Sequence, residues 1–495
     1  MKKFVIFIFS FILIIPMFVN SAFAASDSTV YNIEPPKYES DIALLVNVDT
    51  DTVIYSKNAD KITAPASLTK IVTALVVLEK GDALSKKITC SEEAINNILG
   101  TDSSIAGLYA GEKTTLEMLL YCLFLASAND AAEVLAYHYG EGDVQQFVDE
   151  MNSYVENLGC KNTHFANAHG LDDEKSSGFK SDKQNRTTAS DMYIIAKHAL
   201  QNETIKKIST KYGKTMPKTN KSDIRYLYNT NPLLNDYSYY YYAGAVGLKT
   251  GTTDKAGTCL ISSATKNGYT YISIAMKGVE DYYLDGEGRN TAYLTCRYML
   301  KWAFENMEMK VLADTDRVLG EVSVKYGRGY DYVSLVPAEP VKAVVLNEIS
   351  IDDIVVNYPS GFPDGVKAPI EEGEEVGKAY LMYNDIVIAD VMLTAGYTVK
   401  KNYIWAMFNW VVDLVKSPAF YIAVIVFAAL LCMFFTTTKK QRKQKKRQKN
   451  TMNIVKDYSR LEFMKEVDWY FKRYESAFLC QKWNHLTIST LDNTI

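Results

Sequence analysis

The stretch PASLTKIVTALVVLE, residues 65–79, places a serine and a lysine three positions apart at the start of an apolar run. The pattern predicts a helix over Leu68–Glu79, with Ser67 and Lys70 on one face about one turn apart. A serine hydroxyl is a weak nucleophile unless a neighbouring base takes its proton, and a lysine can be that base only after it loses its charge. On this stretch alone, an N-cap serine followed by a surface lysine is the simpler explanation.

Two further short motifs change that balance. Ser127-Ala-Asn129 follows a predicted buried helix, TTLEMLLYCLFLA, which begins with a capping-box pattern, Thr114-x-x-Glu117. Lys249-Thr250-Gly251 precedes a predicted hairpin that turns at Asn267-Gly268. Each motif alone is frequent by chance. The ordered set SxxK, SxN and KTG, each in a matching local context, resembles the motif set of penicillin-binding proteins and class A β-lactamases.

Longer segments carry the resemblance further. TAPASLTKIVTALVVLE, LASANDAAEVLA, FVDEMNSYVENLGCKNTHFANAHGLDDE and VGLKTGTTDKAGTCLISSA are similar to low-molecular-mass penicillin-binding proteins, and more closely to the serine D-alanyl-D-alanine carboxypeptidases. The similarity covers about residues 30–400. It implies an α+β fold: a β-lactamase/transpeptidase-like catalytic domain with an antiparallel sheet and a helical cluster, then a small all-β domain and a C-terminal transmembrane helix. The residue patterns also favour a sheet packed against helices, since strands flank the helical region.

The resemblance implies acyl transfer from a peptidoglycan stem peptide that ends in D-Ala-D-Ala. Ser67 attacks the carbonyl of the penultimate D-alanine, the terminal D-alanine leaves, and water hydrolyses the acyl-enzyme; penicillins acylate the same serine. Lys70 takes the serine proton, and burial together with the second cation, Lys249, would lower its pKa. Ser127 relays a proton to the leaving amine. Asn129 orients Lys70 and the substrate amide.

Other residues are expected to bind the substrate. Thr250 would hydrogen-bond the terminal carboxylate, and Gly251 would let the strand approach the bound peptide closely. The backbone N–H groups of Ser67 and Thr252 would form the oxyanion hole. Arg289 precedes the last helix of the catalytic region, where it binds carboxylate or forms a surface salt bridge.

Three alternatives were weighed against the carboxypeptidase. A class A β-lactamase carries a deacylating glutamate in an E-x-x-L-N stretch, which this sequence lacks, and a membrane-tethered β domain is not expected of one. A catalytically silent penicillin-binding wall module has no need of the complete set Ser67, Lys70, Ser127 and Lys249. A DD-transpeptidase or endopeptidase would present the same site, so the sequence leaves that alternative open.

The spacing of the histidines and cysteines gives no indication of a metal site or of a bound cofactor. The seven cysteines and five histidines include no CxxC and no HExxH. The cysteines before the C-terminal apolar run are expected to be buried thiols, with one disulfide left open. His169, in AHGLD, also matches the family, and we expect it to satisfy local backbone groups.

The chain of 495 residues is long enough for several domains. Residues 1–24 have a basic start, an apolar middle and an Ala-Phe-Ala site, which predicts a signal peptide rather than a retained anchor. The expected organisation continues with a linker (25–40), the catalytic domain (41–308) and a small β domain of short alternating strands (311–400).

The C-terminal region predicts a membrane attachment. Residues 403–417 form an aromatic interfacial segment, and 418–436 form an apolar transmembrane helix. KKQRKQKKRQKN, residues 439–450, follows directly and contains no acidic residue, so the tail 437–495 is assigned to the cytoplasm of a bacterial cell with the catalytic domain outside. The position of this basic run beside the span favours lipid headgroups over nucleic acid.

Overall fold

The computed structural model describes residues 28–29, 39–173, 178–179, 181–282 and 288–474. The predicted signal peptide lies outside the described residues, as does the tail beyond residue 474. The described residues fall into two compact units, one within 1–325 and 330–399 and the other within 326–329 and 400–495. Each unit is described separately below.

The first unit combines strands and helices. Its strands are β1 Ser28–Thr29, β2 Ile42–Asn47, β3 Thr52–Lys57, β4 Lys87–Thr89, β5 Lys113–Thr115, β6 Gly213–Met216, β7 Arg225–Tyr228, β8 Ala245–Thr253, β9 Gly257–Lys266, β10 Tyr269–Gly278, β11 Glu280–Tyr282, β12 Gly288–Asn290, β13 Met307–Ala313, β14 Gly320–Lys325, β15 Tyr332–Pro337, β16 Val341–Leu346, β17 Val355–Asn357, β18 Gly365–Lys367, β19 Glu375–Tyr383 and β20 Ile386–Ala395. Its helices are α1 Lys70–Glu79, α2 Glu92–Ile98, α3 Leu116–Phe124, α4 Asn129–Tyr139, α5 Val144–Asn157, α6 Ala189–Gln201, α7 Glu203–Ser209 and α8 Thr291–Asn306.

The central sheet is antiparallel, with the strand order β1-β3-β2-β10-β9-β8. Strand β2 is buried along its whole length. Its alternate residues enter two different cores: Ile42, Leu44 and Val46 pack with the helices α1 and α3–α6, whereas Ala43 and Leu45 pack with α8. The sheet is therefore covered by helices on both faces, and β8 forms an edge of it. This confirms the expected α+β class.

Local sequence signals predict some ends of helices and strands correctly and miss others. Asn267 and Gly268 have φ of 57° and 85°, as a type I′ hairpin turn between β9 and β10 requires. The capping box predicted at Thr114 is wrong by one residue, because Thr114 is buried in β5 and the Thr115 side chain accepts the Met118 N–H at 3.2 Å. The sequence pattern predicts a last helix over residues 288–307, but the helix begins three residues later, at Thr291, where the Asn290 side chain caps it.

The β-rich part of the first unit follows α8. Strands β13 and β16 form a two-stranded sheet, and a six-stranded sheet has the order β17-β19-β20-β15-β14-β18. The β14–β18 pair is parallel and its neighbours are antiparallel. An all-β domain therefore follows the catalytic region, as the sequence predicted. The cysteines of the first unit are free and buried (Cys90, Cys122, Cys160, Cys259 and Cys296).

The second unit is helical. Helix α9 spans Tyr403–Lys416, and the Asn402 side chain caps it by accepting the Trp405 N–H at 3.1 Å. Helix α10 spans Pro418–Tyr474 and continues without a break through the basic run. In the described part of the chain, one helix is long and apolar enough to cross a membrane, and it lies within Pro418–Val467.

Candidate active site

A tight turn brings Ser67 and Lys70 together. Residues Ala66–Thr69 form a 3-10 turn, and α1 begins only at Lys70, so the helix predicted from Leu68 starts two residues late. Side chains at i and i+3 eclipse one another in a 3-10 turn. This geometry places the Lys70 Nζ 2.7 Å from the Ser67 Oγ.

Lys70 is completely buried beneath the serine. Its Nζ lies 2.6 Å from Asn129 Oδ1 and 2.7 Å from the carbonyl oxygen of His169. Burial lowers the pKa of Lys70 well below its usual value, the nearby charge of Lys249 lowers it further, and Asp130 partly opposes them. Lys70 can therefore present a neutral amine to the Ser67 hydroxyl.

The SxN segment lies between two helices, as predicted. Ser127 has φ of 55°, in the left-handed region, and is 6% exposed. Such a conformation persists only where neighbours fix it. The Ala128 N–H donates to Cys122 O at 3.1 Å, and the Asn129 N–H donates to Ser104 O at 2.8 Å. The chain is thus held on both sides of the turn, and Asn129 opens α4 with its side chain on Lys70.

Asp130, next in the chain, was not singled out by the sequence reasoning. Its carboxylate accepts the N–H groups of Ala106 at 2.9 Å and Leu108 at 2.9 Å. These bonds fasten the loop before β5 onto the N-terminus of α4. The residue therefore supports the same loop whose Ser104 carbonyl holds Asn129.

The loop that contains His169 completes the surroundings of Lys70. The His169 Nδ1 accepts the Leu171 N–H at 3.1 Å, which agrees with the predicted structural role of the ring. Burial, and then the charge of Lys70, lower the pKa of His169 to about 3. Gly170 has φ of 92°, and a Cβ there would lie 1.9 Å from Ala66 O, so only glycine lets this loop pack on the nucleophile turn.

Strand β8 forms the opposite wall. Lys249 is 1% exposed, and burial lowers its pKa to about 7. The Thr250 Oγ1 lies 2.5 Å from the Thr230 Oγ1, a neighbour that the sequence did not reveal. A Cβ at Gly251 would lie 3.0 Å from both the Ser67 N and the Ala66 Cβ. The glycine thus brings β8 against the nucleophile turn, with the exposed Thr252 next along the strand.

Arg289 forms an ion pair with Glu39. Its Nη2 is 2.5 Å from Glu39 Oε1, and the two side chains are 34% and 45% exposed. The salt bridge that the sequence offered as one alternative is present. Binding of a substrate carboxylate by Arg289 stays a prediction.

Taken together, the geometry suits acyl transfer. The site contains a serine hydroxyl, a buried amine that is poised to lose its proton, and backbone N–H groups at the start of a helical turn, where the local dipole favours negative charge. A second buried lysine, Lys249, lies on strand β8.

Comparison with known proteins agrees with this chemistry. Residues 29–279 match the family model of the D-alanyl-D-alanine carboxypeptidases, Peptidase S11, and residues 308–401 match the C-terminal domain of penicillin-binding protein 5. The D-alanyl-D-alanine carboxypeptidase DacF of Bacillus subtilis is 30% identical over 388 residues, which cover 78% of this chain and 91% of DacF. DacA of Haemophilus influenzae is 28% identical over 80% of this chain and 95% of its own length.

Structural similarity extends over the same region. The crystal structure of penicillin binding protein 5 from Haemophilus influenzae aligns with a TM-score of 0.58 and 27% sequence identity. The alignment covers 74% of this chain and 100% of that one.

Proposed function

Because the chain belongs to the Peptidase S11 family of serine D-alanyl-D-alanine carboxypeptidases, we propose that Ser67, Lys70, Ser127 and Lys249 perform its catalytic chemistry. The enzyme removes the terminal D-alanine from peptidoglycan stem peptides and is acylated by β-lactams, as its family is. The proposal concerns which side chain does what.

The contacts of Lys70 carry the assignment. A neutral amine has two N–H donors and one lone pair. Two of its three partners, Asn129 Oδ1 and His169 O, can only accept, so they take both N–H groups. The lone pair is left facing the third partner, the Ser67 hydroxyl, which can donate its proton. In this arrangement Lys70 is the general base.

The proposed reaction has four steps. The Ser67 Oγ bonds to the penultimate carbonyl carbon while its proton passes to Lys70. The N–H groups of Ser67 and Thr252 stabilise the resulting oxyanion, and losing one such donor typically costs about 3 kcal/mol of barrier. The C–N bond breaks as the proton held by Lys70 passes through the Ser127 hydroxyl to the leaving amine. Water then hydrolyses the ester and regenerates the serine.

The KTG strand binds the end of the substrate. Thr250 donates to the terminal carboxylate, and the nearby Lys249 makes the local potential positive. Arg289 adds a second cation for the carboxylate if its contact with Glu39 opens. Gly251 allows the required approach of β8 to Ser67.

We also propose that residues 418–436 cross the membrane, with the tail 437–495 in the cytoplasm and the domains 41–308 and 311–400 outside. The apolar part of α10 and the acid-free basic run that follows it support this orientation. The aromatic helix α9 then lies at the outer interface.

The decisive experiment compares the full chain with Ser67→Ala and with Ser153→Ala, a control serine exposed on α5. We expect Ser67→Ala to lose both D-alanine release from a peptide ending in Lys-D-Ala-D-Ala and covalent penicillin labelling, with an unchanged melting temperature. Full activity in that variant would disprove the assignment. A penicillin adduct on Ser67 of the wild type without D-alanine release would indicate a transpeptidase that lacks its acceptor.

A further inference from the structure

The hairpin β6–β7 presents an uncharged aromatic surface beside the cleft. Tyr226 and Tyr228 are 67% and 60% exposed, and opposite them on β6 lie Thr215 and Gly213. Tyr212, just before β6, is 42% exposed. With Thr230, these residues make up the tyrosine face: Tyr212, Gly213, Thr215, Tyr226, Tyr228 and Thr230.

The opposite side of the hairpin fixes this face in place. Arg225 of β7 donates to Gly107 O at 2.6 Å and to Ala106 O at 3.1 Å, and it forms an ion pair with the completely buried Glu112. Lys214 of β6 also lies on that side, 4.6 Å from the ring centroid of Tyr121. The charged residues within the two strands, Lys214 and Arg225, are therefore turned away from the tyrosines, and their contacts hold the hairpin in place.

The tyrosine face is continuous with the active site. The alternation of exposed residues along β7 continues past the strand to Thr230, which is also exposed. The Thr230 N–H donates to Leu125 O at 3.1 Å, and its hydroxyl lies 2.5 Å from the hydroxyl of Thr250. At about 3.3 Å per residue, the face extends roughly 13 Å from Thr230 to Tyr226.

The rings form a shallow cradle. Tyr228 and Tyr212 have ring centroids 6.1 Å apart and planes tilted by 55°. The Tyr228 ring lies beside Gly213, where an added Cβ would come within 3.7 Å of the ring. Since glycine leaves that position open, a flat ligand can lie across the hairpin between the tyrosines.

We propose that the tyrosine face binds a glycan strand of the cell wall. A pyranose ring has an apolar C–H face that packs on an aromatic ring, and its hydroxyl groups can bond to phenol groups. The face contains no charged residue to pair with the carboxylates and amines of stem peptides. Large exposed apolar patches usually mark such interaction sites.

The placement rests on the proposed function of Thr250. If Thr250 holds the terminal carboxylate, the tyrosine face begins at the leaving-group end of the cleft, where the bound stem peptide ends. The ligand of the tyrosine face is therefore a neighbouring sugar strand of the polymer and not the stem peptide in the cleft. Binding there would hold the enzyme on the wall while the cleft processes a nearby peptide.

The test uses the full chain in detergent with the double variant Tyr226→Ala/Tyr228→Ala. The matched control is Tyr237→Ala/Tyr332→Ala, which removes two other tyrosines that are 93% and 58% exposed. Three quantities are measured: affinity for soluble glycan strands stripped of peptides, D-alanine release from insoluble peptidoglycan, and D-alanine release from a soluble peptide. We expect the glycan affinity and the D-alanine release from insoluble peptidoglycan to fall about tenfold in the double variant only, because two modest ring contacts are lost. Release from the soluble peptide should stay within about twofold.

Other outcomes overturn the proposal. Unchanged glycan affinity would exclude the glycan as the ligand. An equal loss on soluble and insoluble substrates would make the tyrosines part of the cleft itself. A change in oligomeric mass would assign the face to a second copy of the chain. Failure of the proposed function is separate, because it would appear as absent release from the soluble peptide by the wild type.

Discussion

Lysines occur in two opposite environments in this protein. In the active site, Lys70 and Lys249 are 0% and 1% exposed, whereas the lysines of the basic run on α10 are exposed to solvent. Burial disfavours the charged form of an amine, and water favours it. Under the proposed function, the same type of side chain accepts a proton in the cleft, whereas on the tail it lies in solvent. The difference shows that the role of a lysine here follows from its solvation.

Replacing Lys70 with methionine should produce the largest effect. Methionine fills similar space but cannot accept the Ser67 proton, so we expect the rate of acylation by a fluorescent penicillin to fall about a thousandfold. The measurement is the acylation rate of the full chain under excess penicillin. Lys443→Met, on the exposed basic run, is the control and should acylate at the wild-type rate. A Lys70→Met variant that keeps a tenth of the wild-type rate would show that another group is the base.

Replacing Lys249 with methionine should have an intermediate effect. The positive charge of Lys249 lowers the pKa of Lys70, so its removal raises that pKa. Lys70 then keeps its proton to higher pH, and the acid limb of the acylation profile should move to higher pH. At pH 7 we expect acylation to fall about a hundredfold, since a charge near the oxyanion is also lost. An unmoved acid limb would show that the two lysines are not coupled.

The same variant tests the stability cost of a buried cation. The pKa of Lys249 is about 7 in the fold and about 10.4 in an unfolded chain. Between these values the unfolded chain binds more protons, so the stability of the wild type rises with pH. Lys249→Met should therefore melt above the wild type at pH 6, and the gap should shrink toward pH 10. A variant that melts lower at both pH values would make Lys249 a structural residue.

Neutralising the tail should have the smallest effect on catalysis. We expect Lys439→Gln/Lys440→Gln/Lys443→Gln to release D-alanine within about twofold of the wild-type rate, because these cations are screened by solvent. The orientation of the tail is tested by adding protease to the outside of intact cells whose wall has been removed, and by measuring whether the tail is cleaved. Wild-type tail should be protected and the variant tail partly cleaved, as the loss of positive charge weakens the topological signal. Cleavage of the wild-type tail would reverse the proposed orientation.

The sequence predicted the parts of the site that depend on local spacing. Ser67 and Lys70 belong to one turn, and the SxN motif follows a helix that its apolar run predicts. The Asn267-Gly268 dipeptide likewise indicated the hairpin of β9 and β10. In these cases a short segment contains all the information, because neighbours in the chain are neighbours in space.

Contacts between groups that are distant in the sequence could not be predicted in this way. The carbonyl of His169 binds Lys70 through its main chain, so the identity of the side chain gave no signal. Thr230 meets Thr250 only because β7 ends beside β8. The start of α1 at Lys70 depends on the packing of Gly170 against Ala66, which no local helix signal contains.

The order of strands in the central sheet also bears on when the enzyme becomes active. Strand β2 pairs with β10, so Ile42 lies opposite Met276, and the KTG strand β8 is joined to β2 only through β10 and β9. Closing so long a loop is entropically unfavourable, and folds dominated by such pairings form slowly. If the chain is exported N-terminus first, as the proposed topology requires, Ser67 emerges long before its partners on β8. Under that topology we expect the serine to stay unreactive toward penicillins and stem peptides until residues beyond β10 have crossed, so that the strand order delays catalysis until the domain is complete.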